Sequence, residues 1–171
     1  MLWFLLGPGP SMSRDLAERV RGNRVCAVSN AYELAPWADA LVANDIRWWQ
    51  KHPNAYEFAG RKFSANQING VEKANPNTFG SLSNSGVLGL DVVRNLGATK
   101  VVMLGFDMHG THFFGPYTNG CTNTRPKRRE EHKRQFEQWR KRNPHVEVLN
   151  ATEGTELKCF PIVRLDEVLH P

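Results

Sequence analysis

The stretch Met1-Leu-Trp-Phe-Leu-Leu-Gly-Pro-Gly-Pro-Ser11 joins an apolar run directly to a turn rich in glycine and proline. Residues 2–6 have the length and composition of a buried strand, and Ser11 or Ser13 can cap a helix predicted at 15–21. Such a turn suits an anionic ligand, because glycines let the ligand approach the backbone and the amides at the helix start point towards it. Glycine, proline and serine also favour tight turns without any ligand. Both interpretations of the turn remain open at this point.

This turn matches neither of the two common phosphate-binding motifs. The dinucleotide fingerprint needs a third glycine and the P-loop needs Gly-Lys followed by Ser or Thr, and the turn at 7–11 has neither. We therefore do not expect an ordinary NAD site or an ATPase.

The composition is ordinary for a globular protein. A length of 171 residues with 40% hydrophobic and 23% charged residues predicts a single domain over 1–171. The longest apolar run, at 1–6, is far shorter than the roughly 20 residues of a membrane span and lacks the charged flank of a signal peptide. We expect a cytoplasmic protein without a membrane span. The three cysteines are widely separated, which favours buried or incidental thiols.

The net charge of +5 is concentrated in the segment 125–142. Glutamates interleave with the basic residues at helix-pairing distances, and Phe136 and Trp139 supply an apolar stripe. A solvated amphipathic helix is the favoured interpretation. Binding of nucleic acid or another anion stays open, because residues 125–129 precede the interleaved part and are mostly basic.

Strands alternate with helices along most of the chain. Further strands are predicted at 24–28, 40–43, 100–104 and 146–149, and further helices at 32–37, 46–52, 86–96 and within the basic segment. Two irregular loops lie near 53–83 and 105–126, the first with a small hairpin around 56–63. The alternation predicts a Rossmann-like α/β fold with a mostly parallel sheet and helices on both faces.

Polar residues follow several of the predicted strands. They include Asn30, Asp45 and the segment 105–112, in addition to the first turn. Ligands of parallel sheets bind at the carboxyl ends of the strands, and amides and carboxylates suit a base edge or a ribose. Asn and Asp are also common in turns that bind nothing.

Four blocks together resemble the bacterial sialyltransferases that use CMP-sialic acid. They are Gly7-Pro8-Gly9-Pro10-Ser11, Asn30, Asn84-Ser85-Gly86 and Leu104-Gly105-Phe106-Asp107. The same pattern is similar to the related 6-hydroxymethylpterin diphosphokinase-type proteins, whose small stand-alone members are frequently phage-encoded. The block from Ser85 to Asp107 is the most specific part of the resemblance.

The resemblance implies a Rossmann-like domain that binds a cytidine nucleotide, with a nucleotide sugar such as a CMP-sugar as donor and no further cofactor. The positions that match imply nucleotide-binding roles for Gly7, Gly9, Pro10, Ser11, Asn30, Asp45, Ser85, Gly86 and Asp107. Asp45 departs from the family pattern, in which an amide is commoner, and leaves nucleotides other than CMP open.

Catalysis is where the chain departs most from these transferases, which place a histidine base in the loop before a late helix. The corresponding loop here, 121–128, contains no histidine. We therefore take His109 and His112 as candidate bases. Tyr117 and Arg125 are then expected to stabilise the departing phosphate. His132 falls within the predicted basic helix and is expected at its surface.

Three functions remain open from the sequence. The first is a glycosyltransferase that uses a nucleotide-sugar donor and no metal. The second is a diphosphokinase-type transferase, in which Asp107 with His109 and His112 would hold a divalent metal. The third is a nucleotide-binding protein without catalysis, such as a phage or prophage accessory protein. In each case the expected partner is a small-molecule nucleotide.

Overall fold

The computed structural model describes residues 1–77 and 79–170 and contains a seven-stranded sheet in which neighbouring strands are parallel. The spatial order of the strands is β5-β4-β3-β2-β1-β6-β7. The strands are β1 (Leu2–Leu6), β2 (Val25–Val28), β3 (Ala40–Val42), β4 (Arg61–Ser64), β5 (Glu72–Lys73), β6 (Lys100–Leu104) and β7 (Glu147–Asn150).

Helices cover both faces of this sheet. They are α1 (Arg14–Glu18), α2 (Ile46–Lys51), α3 (Ser85–Asn95), α4 (Pro126–Arg142) and α5 (Leu165–Leu169). Because side chains alternate along a strand, Trp3 and Leu5 of β1 pack on the side of α3 and α4, whereas Phe4 and Leu6 pack on the side of α1, α2 and α5. The predicted α/β fold with helices on both faces is confirmed. None of the helices in the described part of the chain combines the length and apolar character needed to cross a membrane.

Most predicted elements lie close to where the structure has them. The strand at 100–104 is confirmed residue for residue, whereas the helix predicted at 32–37 is instead a 3₁₀ turn at Ser29–Glu33. Helix α4 buries Phe136 and Trp139 and carries ion pairs such as Lys141 with Glu137 on its outer side. This is the solvated amphipathic helix that the charge pattern favours.

The hairpin predicted around 56–63 is wrong. The segment forms a 3₁₀ turn at Pro53–Glu57 and then contributes β4 and β5, both parallel to their neighbours. Ala55 and Phe58 pack on the face of the sheet that α1 and α2 cover. Only residues after Gly60 therefore pair with β3 as a strand. The loop near 53–83 therefore extends the sheet, although its residue Thr78 lies outside the described residues.

The three cysteines are free thiols. Cys26 and Cys121 are buried and Cys159 is half-buried. Burial raises the pKa of each thiol, to about 11 for Cys159. A protonated thiol is a weak nucleophile, so these residues act as small packing groups, as the sequence predicts.

The strand order reverses between β1 and β6. From β1 the chain builds the sheet outward to β5 and then returns to the other side of β1. The loops that leave these two strands diverge at the carboxyl edge of the sheet, which is where ligands of this type of fold bind. The topology therefore places a site between the loops after β1 and β6.

A buried carboxylate, Asp91 on α3, joins three segments on the face of the sheet that α3 and α4 cover. It accepts hydrogen bonds from the backbone N–H of Asn77 and the indole N–H of Trp139, both at 2.7 Å, and from the hydroxyl of Ser81. The segment before α3 and helix α4 are thus both held to α3, which fixes the helix whose start lies at the carboxyl edge.

Replacing Asp91 with Asn is expected to lower the free energy of unfolding by about 2–3 kcal/mol, because an amide leaves one of these buried donors facing another donor. Urea denaturation measures the change. Asp166→Asn is the matched control: Asp166 is exposed and paired with Arg19, so its loss should cost less than ~1 kcal/mol. Equal destabilisation by the two substitutions would contradict the role given to Asp91.

Candidate functional site

A cleft of about 280 Å³ lies at the carboxyl edge of the sheet. Its walls come from the turn after β1, from Ser29 after β2, from the start of α3, from the loop after β6 and from the first half of α4. This is the place at which the strand order reverses. Segments far apart in sequence therefore meet around one space.

The loops after β1 and β6 are joined by backbone hydrogen bonds. The N–H of Gly7 donates to the carbonyl of Leu104 at 2.7 Å, and the N–H of Gly9 donates to that of Gly105 at 2.9 Å. These bonds continue the pairing of β1 with β6 beyond the strands themselves. The two loops thus form one connected wall of the cleft.

Asp107 completes this wall. Its buried carboxylate accepts hydrogen bonds from the backbone N–H of Ser11 at 3.2 Å and from the Ser11 hydroxyl at 2.9 Å, one on each oxygen. A Cβ at Gly9 would lie 2.0 Å from Asp107 Oδ2, so glycine is required at this position by the carboxylate. Burial raises the pKa of Asp107, and the bonds from Ser11 oppose that shift. Asp107 and Gly9 line the cleft; Ser11 supports Asp107 from outside it.

The start of α3 forms another wall. Asn84 caps the helix, its side-chain oxygen accepting a hydrogen bond from the N–H of Gly86 at 3.0 Å. A Cβ at Gly86 would lie 2.8 Å from the rings of both Phe106 and Phe136, so glycine lets the helix start approach them. Ser85 and Gly86 both line the cleft, and their contact with a nucleotide stays a prediction.

Asn30 does not line the cleft but holds side chains that do. Its buried side-chain oxygen accepts hydrogen bonds from the indole N–H of Trp48 at 2.8 Å and from the hydroxyl of Tyr117 at 2.7 Å, and its amide donates to Glu33 at 2.6 Å. Burial raises the pKa of Tyr117 well above its ordinary value, so the hydroxyl stays protonated. Asn30 thus supports the wall of the cleft, and its contact with a nucleoside stays a prediction.

The two predicted bases, His109 and His112, both line the cleft. A ring nitrogen of exposed His109 lies 3.1 Å from the carbonyl oxygen of Gly154. Half-buried His112 has Nδ1 at 3.1 Å from the carbonyl oxygen of Gly115, and its ring stacks on Phe114 with centroids 4.7 Å apart. Burial lowers the pKa of His112, which favours the neutral imidazole.

His132 is a cleft residue that the sequence pattern placed at the surface of the helix. Instead of lying at the helix surface it is half-buried and lines the cleft, and its Nε2 atom is buried without a hydrogen-bond partner among the described residues. Burial lowers its pKa to about 4, helped by the nearby charge of Arg128. The spacing of His132 to Phe136 and Trp139 places all three on one face of a helix and could have indicated its position.

Among the described residues, Arg129 is the cation that lines the cleft, and Arg125, the predicted phosphate-binding residue, does not line it. Arg129 lines the cleft, and its guanidinium donates a hydrogen bond to the carbonyl of Gly110, which ties α4 to the loop after β6. Arg125 precedes the first turn of α4 and faces a neighbouring cavity.

Asp45 lies on the cleft wall. Its exposed carboxylate caps α2 by accepting a hydrogen bond from the N–H of Arg47 at 2.9 Å.

Strained backbone marks the same cleft. Ser29 and Met108 are non-glycine residues with φ values of 48° and 60°, in the left-handed region that disfavours side chains. Both line the cleft, one after β2 and one after β6. Strain of this kind costs on the order of 1–3 kcal/mol per residue and concentrates at functional sites.

Within residues 1–77 and 79–170, no three His, Cys, Asp or Glu side chains are grouped so as to hold a metal ion.

Comparisons of the chain with family models, with curated proteins and with solved structures give no match. The function proposed below therefore depends on the cleft itself.

The neutral state of His132 predicts a dependence of stability on pH. The ordinary pKa of 6.5 applies to the unfolded chain and the folded value is about 4, so between these values the unfolded chain binds a proton that the folded chain does not. Stability should fall as the pH is lowered through this window, by at most about 1.4 kcal/mol per pH unit for one group. His132→Gln should reduce that slope in urea denaturation, leaving a contribution from His112.

The matched control is His145→Gln, since His145 is exposed in the turn that follows α4. This variant should keep the slope of the parent protein. An unchanged slope in His132→Gln would show that the His132 imidazole is not held neutral by burial.

Proposed function

We propose that the protein binds a nucleotide in this cleft and transfers a sugar from a nucleotide-sugar donor of the CMP-sugar type. The observation that carries the proposal is the position of His132: its imidazole lines one cleft together with the start of α3 and Arg129. A proton acceptor and two features that favour phosphate thus face one space.

In this proposal the donor phosphate lies between the start of α3 and Arg129. The positive end of the helix dipole at Ser85 and Gly86 and the guanidinium both favour a negative charge there. The carboxylate of Asp45 on the cleft wall is suited to accept hydrogen bonds from ribose hydroxyls. Tyr117, whose hydroxyl already donates to Asn30, contributes its ring to the aromatic wall rather than acting on the phosphate.

The transfer step requires one base and stabilisation of one leaving group. The acceptor hydroxyl gives its proton to the imidazole of His132, and its oxygen forms a bond to the anomeric carbon of the donor sugar. The bond from that carbon to the phosphate oxygen breaks, and the electron pair leaves with the nucleotide, whose charge Arg129 and the start of α3 stabilise. A phosphate bound nearby also raises the pKa of His132 towards neutrality, which improves it as a base.

Two alternatives remain within the proposal. His109 and His112 line the same cleft and could supply the base in place of His132. A nucleotide-binding protein without catalysis is the second candidate function, favoured by the pKa of about 4 for His132, since so weak a base removes a hydroxyl proton poorly. The diphosphokinase alternative is less favoured, because Asp107, His109 and His112 are not grouped so as to hold a metal ion in the described part of the chain.

Release of CMP from CMP-sialic acid tests the proposal. The parent protein is expected to release CMP, and His132→Gln to lower the rate by roughly 10²–10⁴-fold, the usual contribution of a general base. Stabilisation of the protein by CMP in a thermal-shift measurement should persist in this variant, which separates loss of the base from loss of binding. Arg134→Gln, at an exposed position on the same helix, is the control and should retain both properties.

Parallel variants of the two other histidines decide which base acts. If His109→Gln or His112→Gln abolishes release while His132→Gln does not, the base is the histidine whose replacement stops the reaction. Binding of CMP without any release by the parent protein would favour the binding protein over the transferase. Failure of CMP, UDP, GDP and ATP alike to stabilise the protein would exclude a nucleotide site.

A further inference from the structure

A second cavity, of about 700 Å³, lies beside the cleft. The two spaces share wall residues, namely Asp45, Ser83, Ser85, the segment 122–124 and His132. His132 is the one histidine among the described residues that lines both. A group bound in either space can therefore approach the same imidazole.

Two arginines give the second cavity a basic wall. Arg125 and Arg128, on either side of the start of α4, line it and do not line the cleft. Arg128 is ion-paired with Glu131 at 2.6 Å, but both side chains remain more than 40% exposed, so the guanidinium is still open to another anion. Asp45, at the border with the cleft, is the one carboxylate among the described lining residues.

Apolar surface flanks these cations. Ile46 and Leu82 line the cavity and are 48% and 51% exposed, which is high for aliphatic side chains. Asn66 lines it too, with its amide donating to the backbone carbonyl of Asn44 at 2.6 Å. A sugar ring offers C–H groups that pack on aliphatic side chains, and a carboxylate or phosphate on that ring pairs with guanidinium groups.

We infer that this second cavity is the acceptor subsite and that it binds an anionic sugar, whose carboxylate or phosphate pairs with Arg125 and Arg128. The inference rests on the proposed transfer function and adds the class of acceptor to it. The acceptor hydroxyl then faces His132 from the second cavity while the donor occupies the cleft. Its proton passes to the His132 imidazole, and its oxygen replaces the donor phosphate on the anomeric carbon.

Three matched probes test the inference: glucose, glucose 6-phosphate and glucuronate. Their binding is measured by ligand-observed NMR and calorimetry, with and without saturating CMP. At least one of the two anionic probes is expected to bind roughly tenfold more tightly than glucose, as charge-assisted hydrogen bonds to a guanidinium imply. The stronger of the two identifies whether carboxylate or phosphate is the preferred anion.

Variants of the cavity then locate that binding. The double variant Arg125→Gln/Arg128→Gln should lose the preference for the anionic probes and retain the parent affinity for CMP. Arg134→Gln, which removes a charge from the same helix but lines neither space, should keep the preference. Glucose binding as tightly as both anionic probes, or an unchanged preference in the double variant, would overturn the inference.

The failure of this inference can be told from the failure of the proposed function. If CMP binds but neither anionic sugar does, the acceptor subsite is wrong and the nucleotide site stands. If the anionic sugars bind with the expected dependence on Arg125 and Arg128 while CMP does not bind, the anionic subsite stands and the donor proposal fails.

Discussion

The cleft depends on the hydrogen-bonded contact between the turn after β1 and the loop after β6. The N–H of Gly9 binds the carbonyl of Gly105, and Ser11 holds both oxygens of Asp107. Because the carboxylate occupies the space of a side chain at position 9, the two loops pack only with glycine there. Strands β1 and β6 are neighbours at the point where the strand order reverses. The contact between their loops therefore forms the wall of the cleft that lies opposite α3 and α4.

The sheet was largely predictable because most of its signals are local. An apolar run that ends at Gly7 and another that ends at Gly105 each indicate a strand by themselves. The wrong hairpin around 56–63 arose because parallel pairing joins strands through long connections that leave no turn signature in the chain. Phe58 and Phe63 are buried on opposite faces of the sheet, and this burial holds β4 beside β3. No short sequence pattern reveals such an arrangement.

The site was predictable only in part, for a related reason. Polar residues after strands identify the correct edge, but their roles depend on partners far away in the chain: Asn30 meets Tyr117 across 87 positions and Ser11 meets Asp107 across 96. Through these contacts Asn30 and Ser11 support neighbouring side chains, which no local pattern predicts. The burial of His132 was not predicted, because the charged residues around it favour a solvated position. Its spacing to the apolar stripe of α4 nevertheless indicates the buried face of the helix.

The central claim is that a nucleotide binds between these linked loops and the start of α3. Titration of nitrogen-15-labelled protein with CMP, followed by backbone amide shifts, tests it most directly. Saturable shifts are predicted at residues 85–87 and 105–110. The signals of residues 37–39 and 59–62, which line a groove at the opposite edge of the sheet, are predicted to stay unchanged. Shifts confined to that opposite groove, or no saturable shifts at the carboxyl edge, would contradict the claim.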